Sequence, residues 1–194
     1  FKLTKEDQSG NLVQGVRFNL TGKGLPTAGR TVTTNSKGEL TITGLYPNEE
    51  YTLTEVYAEG YAYSEEPIKF KTVWSGNDLE AQVIEGSFKE QPTIDNTQEK
   101  QPIMSASIVN TKLDEYYLQL GKSEKGTIKE LEGAVFRITG KWLDNEYTTN
   151  EDGMLNVGPL YEGIEYTIEE VMPPAGYALS DNIVRFIVKE NEEG

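Results

Sequence analysis

The chain has 194 residues and a net charge of −14, from 18 basic and 32 acidic side chains, and it contains neither cysteine nor histidine. Disulfides, thiol or imidazole nucleophilic relays, and zinc or haem sites of the usual kinds are thereby excluded, leaving lysine and carboxylate chemistry or oxygen-ligated metals. The acidic balance excludes nucleic acid and anionic membrane surfaces as partners, because both need a basic face.

No apolar run approaches the length of a membrane span, and no signal peptide or sorting tail is recognisable. With Phe1 at its start, the sequence is expected to be a piece of a longer protein.

The opening residues FKLTKED alternate, with Phe1, Leu3 and Lys5 on one face of a strand and Lys2, Thr4 and Glu6 on the other. A lysine thus continues an apolar face. After a turn at Asp7 to Gly10, LVQGVRFNL supplies the inward set Val16, Phe18 and Leu20. A glycine-rich loop follows, then two short strands around a turn at Asn35 to Gly38. In YTLTEV, Tyr51, Leu53 and Glu55 share a face, so a carboxylate lands among aromatic and aliphatic side chains. An ionised carboxylate is costly to bury unless it is paired or protonated.

AEGYAYSEE reads as a turn-rich exit and PIKFKTVW as a further strand. Residues Ser75 to Gln101 are polar and weakly patterned; one strand near Ala81 to Ile84 and an elaborated loop are expected there. IMSASIVN then places Met104, Ala106, Ile108 and Asn110 on one face. Lys5, Glu55 and Asn110 are therefore polar groups on the inward faces of a first, a middle and a last strand.

Thr111 to Tyr116 is a short polar connector, after which the pattern repeats at a spacing of roughly 116 residues. YLQLGK repeats the first strand with Leu118, Leu120 and Lys122. LEGAVFRI repeats the second, and YTIEEV puts Tyr166, Ile168 and Glu170 on one face, making Glu170 the counterpart of Glu55. Nothing after IVRFIV corresponds to Ala81 onward. We expect two tandem antiparallel β-sandwich domains, 1–112 and 113–194, the second truncated and lacking its last strands, because about 80 residues fall short of the ~100 such a domain usually needs.

A buried Lys, Glu and Asn together have a defined chemistry. Desolvation pushes the lysine pKa down and the glutamate pKa up, which favours a neutral amine beside a protonated acid. The amine can attack the Asn110 side-chain carbon while Glu55 polarises its carbonyl oxygen and relays protons to departing ammonia, leaving an isopeptide bond. Fixed geometry supplies the effective concentration. Such a reaction runs once, so no turnover enzyme is expected.

The ordered set LTKED, G-V-R-F, YTLTEV with a following GY, and SIVNT resembles the B-type repeat of the collagen adhesin Cna and of pilin and adhesin shafts of Gram-positive bacteria. LGK, G-A-V-F and YTIEEVMPPAGY resemble it again in the second copy. The resemblance implies inverse immunoglobulin-like, or prealbumin-like, sandwiches tied by a Lys to Asn isopeptide bond with a Glu as proton relay. Those roles fall on Lys5, Asn110 and Glu55, and on Lys122 and Glu170 in the second domain. AEGY replaces the proline-containing exit of the family in the first domain, and the second has no Asn strand.

The residues alone leave alternatives open. Lys5 can snorkel to solvent, or Glu55 can pair with Lys5 without reacting. Asn96 competes with Asn110 as acceptor; Asn110 is preferred because it leads directly into the next domain's first strand. Lys125 competes with Lys122 but falls beyond the alternating run. NEDG at Asn150 to Gly153 lacks the further ligands of a calcium loop and reads as a hairpin turn, and Trp74 and Trp142 read as packing residues. No cofactor and no metal are expected.

The function expected is a stalk or shaft segment of a cell-wall-anchored adhesin or pilin, extracellular on a Gram-positive cell, with neighbouring domains of the same surface protein as partners. The alternative is an adhesin module that recognises a host extracellular protein or glycan through its loops, above all Ser75 to Gln101.

Overall fold

The computed structural model describes residues 1–75, 78–86, 90–95 and 103–190. These residues form strands and turns without a helix, so none is long and apolar enough to cross a membrane. The chain divides into two compact units, Phe1–Lys112 and Leu113–Gly194.

Unit 1 contains β1 (Lys2–Asp7), β2 (Arg17–Gly22), β3 (Arg30–Thr33), β4 (Glu39–Thr41), β5 (Glu50–Tyr57), β6 (Tyr61–Ala62), β7 (Ile68–Ser75), β8 (Asp78–Glu85), β9 (Glu90–Asp95) and β10 (Ile103–Lys112). One sheet has the order β3-β2-β5-β7-β8; the other has β4-β1-β10, with β6 and β9 also paired to β10. Period-two alternation produces the layers: Leu3 on β1, Phe18 and Leu20 on β2, Tyr51 and Leu53 on β5 and Phe70 on β7 are all buried in one core. Tyr51 stacks on Phe70 with centroids 5.7 Å apart, and its hydroxyl accepts the Tyr46 N–H at 2.7 Å.

Two features differ from the sequence expectations. The first and last strands, β1 and β10, are neighbours but run parallel within a sandwich whose other pairings are antiparallel. The chain crosses between the two sheets several times after β1 and enters β10 antiparallel to β9, so no direct connection to β1 sets the direction of the last strand beside it. Strand β9 was not anticipated. It contains Pro92 and pairs with β10, an edge position that tolerates a proline. The two short strands expected around the turn at Asn35 to Gly38 are present but fall in different sheets, since β3 pairs with β2 whereas β4 pairs with β1. Asn35 Oδ1 accepts the N–H groups of Lys37 and Glu39 at 2.8 and 3.0 Å, and Gly38, with φ of 65°, accepts the Lys5 N–H on its carbonyl at 2.8 Å. A Cβ on Gly38 would lie 2.8 Å from the Lys5 carbonyl oxygen, so the turn seats directly against the strand that carries Lys5.

Unit 2 contains β11 (Glu115–Gly121), β12 (Val135–Gly140), β13 (Leu143–Thr148), β14 (Met154–Tyr161), β15 (Glu165–Met172) and β16 (Ile183–Ile187), arranged as β11-β14 and β13-β12-β15-β16. It repeats unit 1 in its polar details. Thr34 accepts the Val16 N–H and donates to the Val13 carbonyl; Thr149 accepts from Ala134 and donates to Leu131. Lys122 N–H donates to Gly153 as Lys5 N–H does to Gly38. Tyr166 takes the Tyr161 N–H and stacks on Phe186, as Tyr51 does with Tyr46 and Phe70. The NEDG turn is the Asn35 turn again, with Asn150 Oδ1 accepting from Asp152 and Met154, and it too links strands that do not pair with each other.

The units diverge at β16. Its counterpart β7 is flanked by β5 and β8, whereas β16 pairs with β15 alone among the described residues. Val184 is consequently 52% exposed where Ile68 is 9% exposed. Strands β10 and β11 leave only Leu113 and Asp114 between them, less than the connector expected over Thr111 to Tyr116.

Candidate functional site

Alternation along β1 turns Leu3, Lys5 and Asp7 inward, and Lys5 is 0% exposed. In the parallel ladder Lys5 lies opposite Ile108 and Asp7 opposite Asn110, so Lys5 and Asn110 share the inward face two positions apart. From the facing sheet, β5 brings in Glu55, which lies opposite Phe18 in its own ladder. Glu55 and Asn110 are both buried, and Asn110 Nδ2 donates a hydrogen bond to Glu55 Oε1. Lys5 Nζ donates to the carbonyls of Glu6 at 3.1 Å and Ile108 at 3.2 Å. The amine is thus held against the backbone of β10. Lys5 does not snorkel, and Glu55 takes its hydrogen bond from Asn110.

Burial lowers the Lys5 pKa from its ordinary value to about 8, against the opposing pull of the Glu55, Asp7 and Glu6 carboxylates. Burial raises the Glu55 pKa, against the Asn110 hydrogen bond and the Lys5 charge. Desolvation therefore moves the two groups toward each other, which makes transfer of one proton from amine to carboxylate less unfavourable. At pH 7 about a tenth of a lysine with such a pKa is neutral, far more than at a free lysine.

Two details were not anticipated. Glu55 was expected to polarise the Asn110 oxygen; it contacts instead the Asn110 nitrogen, the group that would depart. Asp7 is a second buried acid near Lys5. Its carboxylate accepts the N–H groups of Ser9 and Asn11 and the Asn11 side-chain amide, and these bonds hold its pKa below the usual carboxylate range. Its place two residues after Lys5 on the same inward face was the available signal.

In unit 2, Lys122 Nζ and Glu170 Oε1 form an ion pair at 2.9 Å, with 23% and 1% of their side-chain surfaces exposed. Glu170 Oε2 also accepts the Ser180 N–H at 2.8 Å. Lys125 is exposed and stands outside this pair. Among the described residues no strand lies beside β11 in the place that β10 takes beside β1. Asn96 lies outside the described residues, as do 76–77, 87–89 and 97–101 of the stretch considered for ligand recognition. Trp74 is 55% exposed, and Trp142 meets Tyr161 edge-on at 5.3 Å.

The family model of the SpaA prealbumin-like fold domain matches residues 1–86 and 117–194. No curated protein matches the sequence. Among solved structures, a streptococcal ancillary pilin is similar at 24% identity and a TM-score of 0.63, over 98% of this chain and 58% of that one. The shaft pilin SpaA of Lactobacillus rhamnosus GG is similar at 17% identity and a TM-score of 0.47, over 96% and 92% of the two chains. The pilus adhesin SpaC of the same organism, in an open conformation, gives 17% and 0.49, over 96% of this chain and 26% of that one. The chain spans little more than half the length of the ancillary pilin.

Proposed function

The chain belongs to the SpaA prealbumin-like fold domains, and from that membership we propose that it is a structural segment of a pilus or adhesin stalk on the surface of a Gram-positive cell, closed in unit 1 by an isopeptide bond between Lys5 and Asn110. The observation that carries this reading is the buried cluster itself: an amine with a lowered pKa on the first strand, and a Glu55–Asn110 hydrogen bond reaching the last. The ancillary pilin that shares the fold supports the stalk assignment.

In the reaction the Lys5 amine, having passed a proton to Glu55, attacks Asn110 Cγ. Glu55 returns that proton to Nδ2 as the Cγ–Nδ2 bond breaks and ammonia leaves, and the freed Glu55 carboxylate takes the second proton from the Lys5 nitrogen, which is left as a neutral amide; that proton then passes to the departing ammonia. The amide formed replaces the amide broken, so no oxidant or cofactor is consumed. Because Lys5 is used up, the protein forms its bond once and does not turn over.

Residues 1–112 form the bonded domain in this reading. Residues 113–194 form a second domain of the same type, with Lys122 and Glu170 paired and unreacted. The partners are neighbouring domains and subunits of the same surface structure.

Intact mass of the denatured chain, with peptide mapping, tests the proposal. One ammonia missing and a Lys5–Asn110 crosslinked peptide are expected; a chain of full mass with both residues free overturns it.

A further inference from the structure

A cavity of about 510 Å³ lies beside the site in unit 1. Its wall includes the buried residues Phe18, Leu53, Glu55 and Asn110, and also Ser64 and Glu66, which are exposed in the segment between β6 and β7. At ~30 Å³ per molecule of liquid water, this space holds on the order of ten waters. Lys5, 0% exposed, is not part of the wall. The site is therefore two-sided. Its nucleophile sits in closed core, whereas the carboxamide it attacks, and the carboxylate bonded to the departing nitrogen, border a space that leads toward solvent.

Resting on the reading of Asn110 as acceptor, we propose that this cavity is the solvent-facing half of the site: the passage by which ammonia leaves Asn110, and a binding space from which a small primary amine or hydroxylamine can react with Asn110 when Lys5 is not the nucleophile. The apolar walls of Phe18 and Leu53 pass a small neutral molecule, and the Glu66 carboxylate near the exposed end attracts the ammonium that forms on leaving. Dilution of ammonia into solvent then draws the reaction toward the bond.

For an external amine the step balances as it does for Lys5. The amine nitrogen bonds to Cγ, the Cγ–Nδ2 bond breaks, Glu55 carries the proton from incoming to departing nitrogen, and ammonia is released. With hydroxylamine the carboxamide becomes a hydroxamate, a gain of one oxygen atom in mass.

The test is Lys5→Met in the full chain, incubated with hydroxylamine and mapped by mass. Asn110 is expected to become the hydroxamate about a hundredfold faster than the exposed Asn145, with that advantage lost on adding Glu55→Ala. Ser64→Trp, at an exposed position of the wall, is expected to slow this reaction, and in the otherwise unchanged chain to slow ammonia loss after synthesis; this second arm decides the matter if Lys5→Met does not fold. A folded Lys5→Met chain in which Asn110 reacts no faster than Asn145, or a Ser64→Trp chain that loses ammonia at the unaltered rate, overturns the inference. Ammonia loss from the unaltered chain together with an unreactive Asn110 in Lys5→Met defeats this inference alone. A reactive Asn110 in Lys5→Met, with no ammonia loss from the unaltered chain, defeats the bond and leaves the cavity as the amine site.

Discussion

Lys5 and Asn110 lie on the same inward face of two neighbouring parallel strands, two register positions apart. A bond between them closes a loop of roughly 100 residues, and a link of that span stabilises by about 4–5 kcal/mol if it acts chiefly on the unfolded chain. Asn110→Ala is therefore expected to retain full mass apart from the substitution and to lower unit 1 stability by several kcal/mol, read from guanidinium unfolding. An unchanged midpoint would show that no tie exists to be lost.

The productive protonation state of the Lys5–Glu55 pair holds one proton, on Glu55, with the amine neutral. When pH falls below the raised Glu55 pKa, a second proton makes the amine an ammonium; when it rises through about 8, the pair loses its last proton and no acid remains for the departing nitrogen. For chain recovered unfolded and refolded at set pH, the rate of ammonia loss is expected to be bell-shaped, with its upper limb near 8. A rate that continues to climb in alkali would remove Glu55 from the proton transfer.

Thr34 and Thr149 each use one hydroxyl to join two backbone groups, accepting from Val16 or Ala134 and donating to Val13 or Leu131. Valine keeps the shape and strands both backbone groups. Thr34→Val and Thr149→Val are each expected to cost about 1–3 kcal/mol, each in its own unit. Hydrogen exchange of Val16 and Ala134 reads the two sites separately, and protection unchanged in both variants would contradict the shared role.

Removing Lys122 leaves the Glu170 side chain, 1% exposed, with the Ser180 N–H but without its cation. Lys122→Met is expected to destabilise unit 2 by about 1–3 kcal/mol, and Lys122→Met with Glu170→Leu to recover most of that loss, because an apolar pair no longer strands a buried charge. Urea unfolding of the single and double variants is the check; equal losses in both would mean that packing, not charge, sets the cost.

Much of the site was legible because each strand is buried on one face, so a polar residue in the inward register stands out. Lys5 follows Phe1 and Leu3, Glu55 follows Tyr51 and Leu53, and Asn110 follows Ala106 and Ile108. What was not legible depends on contacts distant in sequence. Alternation is the same whichever way a neighbouring strand runs, so the parallel pairing of β1 with β10 left no local trace. Strand β9 lies in a polar, weakly patterned stretch, and the edge position that accommodates its Pro92 depends on a pairing with β10 that local sequence does not reveal. The Asn110 nitrogen facing Glu55, the capping of Asp7 by Asn11, and the cavity all follow from how two sheets meet.

The parallel pairing of β1 and β10 has a further consequence for unit 1. Tension between Lys2 and Lys112 slides the two strands lengthwise past each other, so the rungs of their ladder resist together instead of peeling open one after another as at the end of a hairpin. With Lys5 and Asn110 joined as proposed, the taut path would run from the first five residues across the bond to the end of β10. The chain from Glu6 to Val109 would hang from that path as slack, and its loops would be free to change in sequence without altering what the thread can hold.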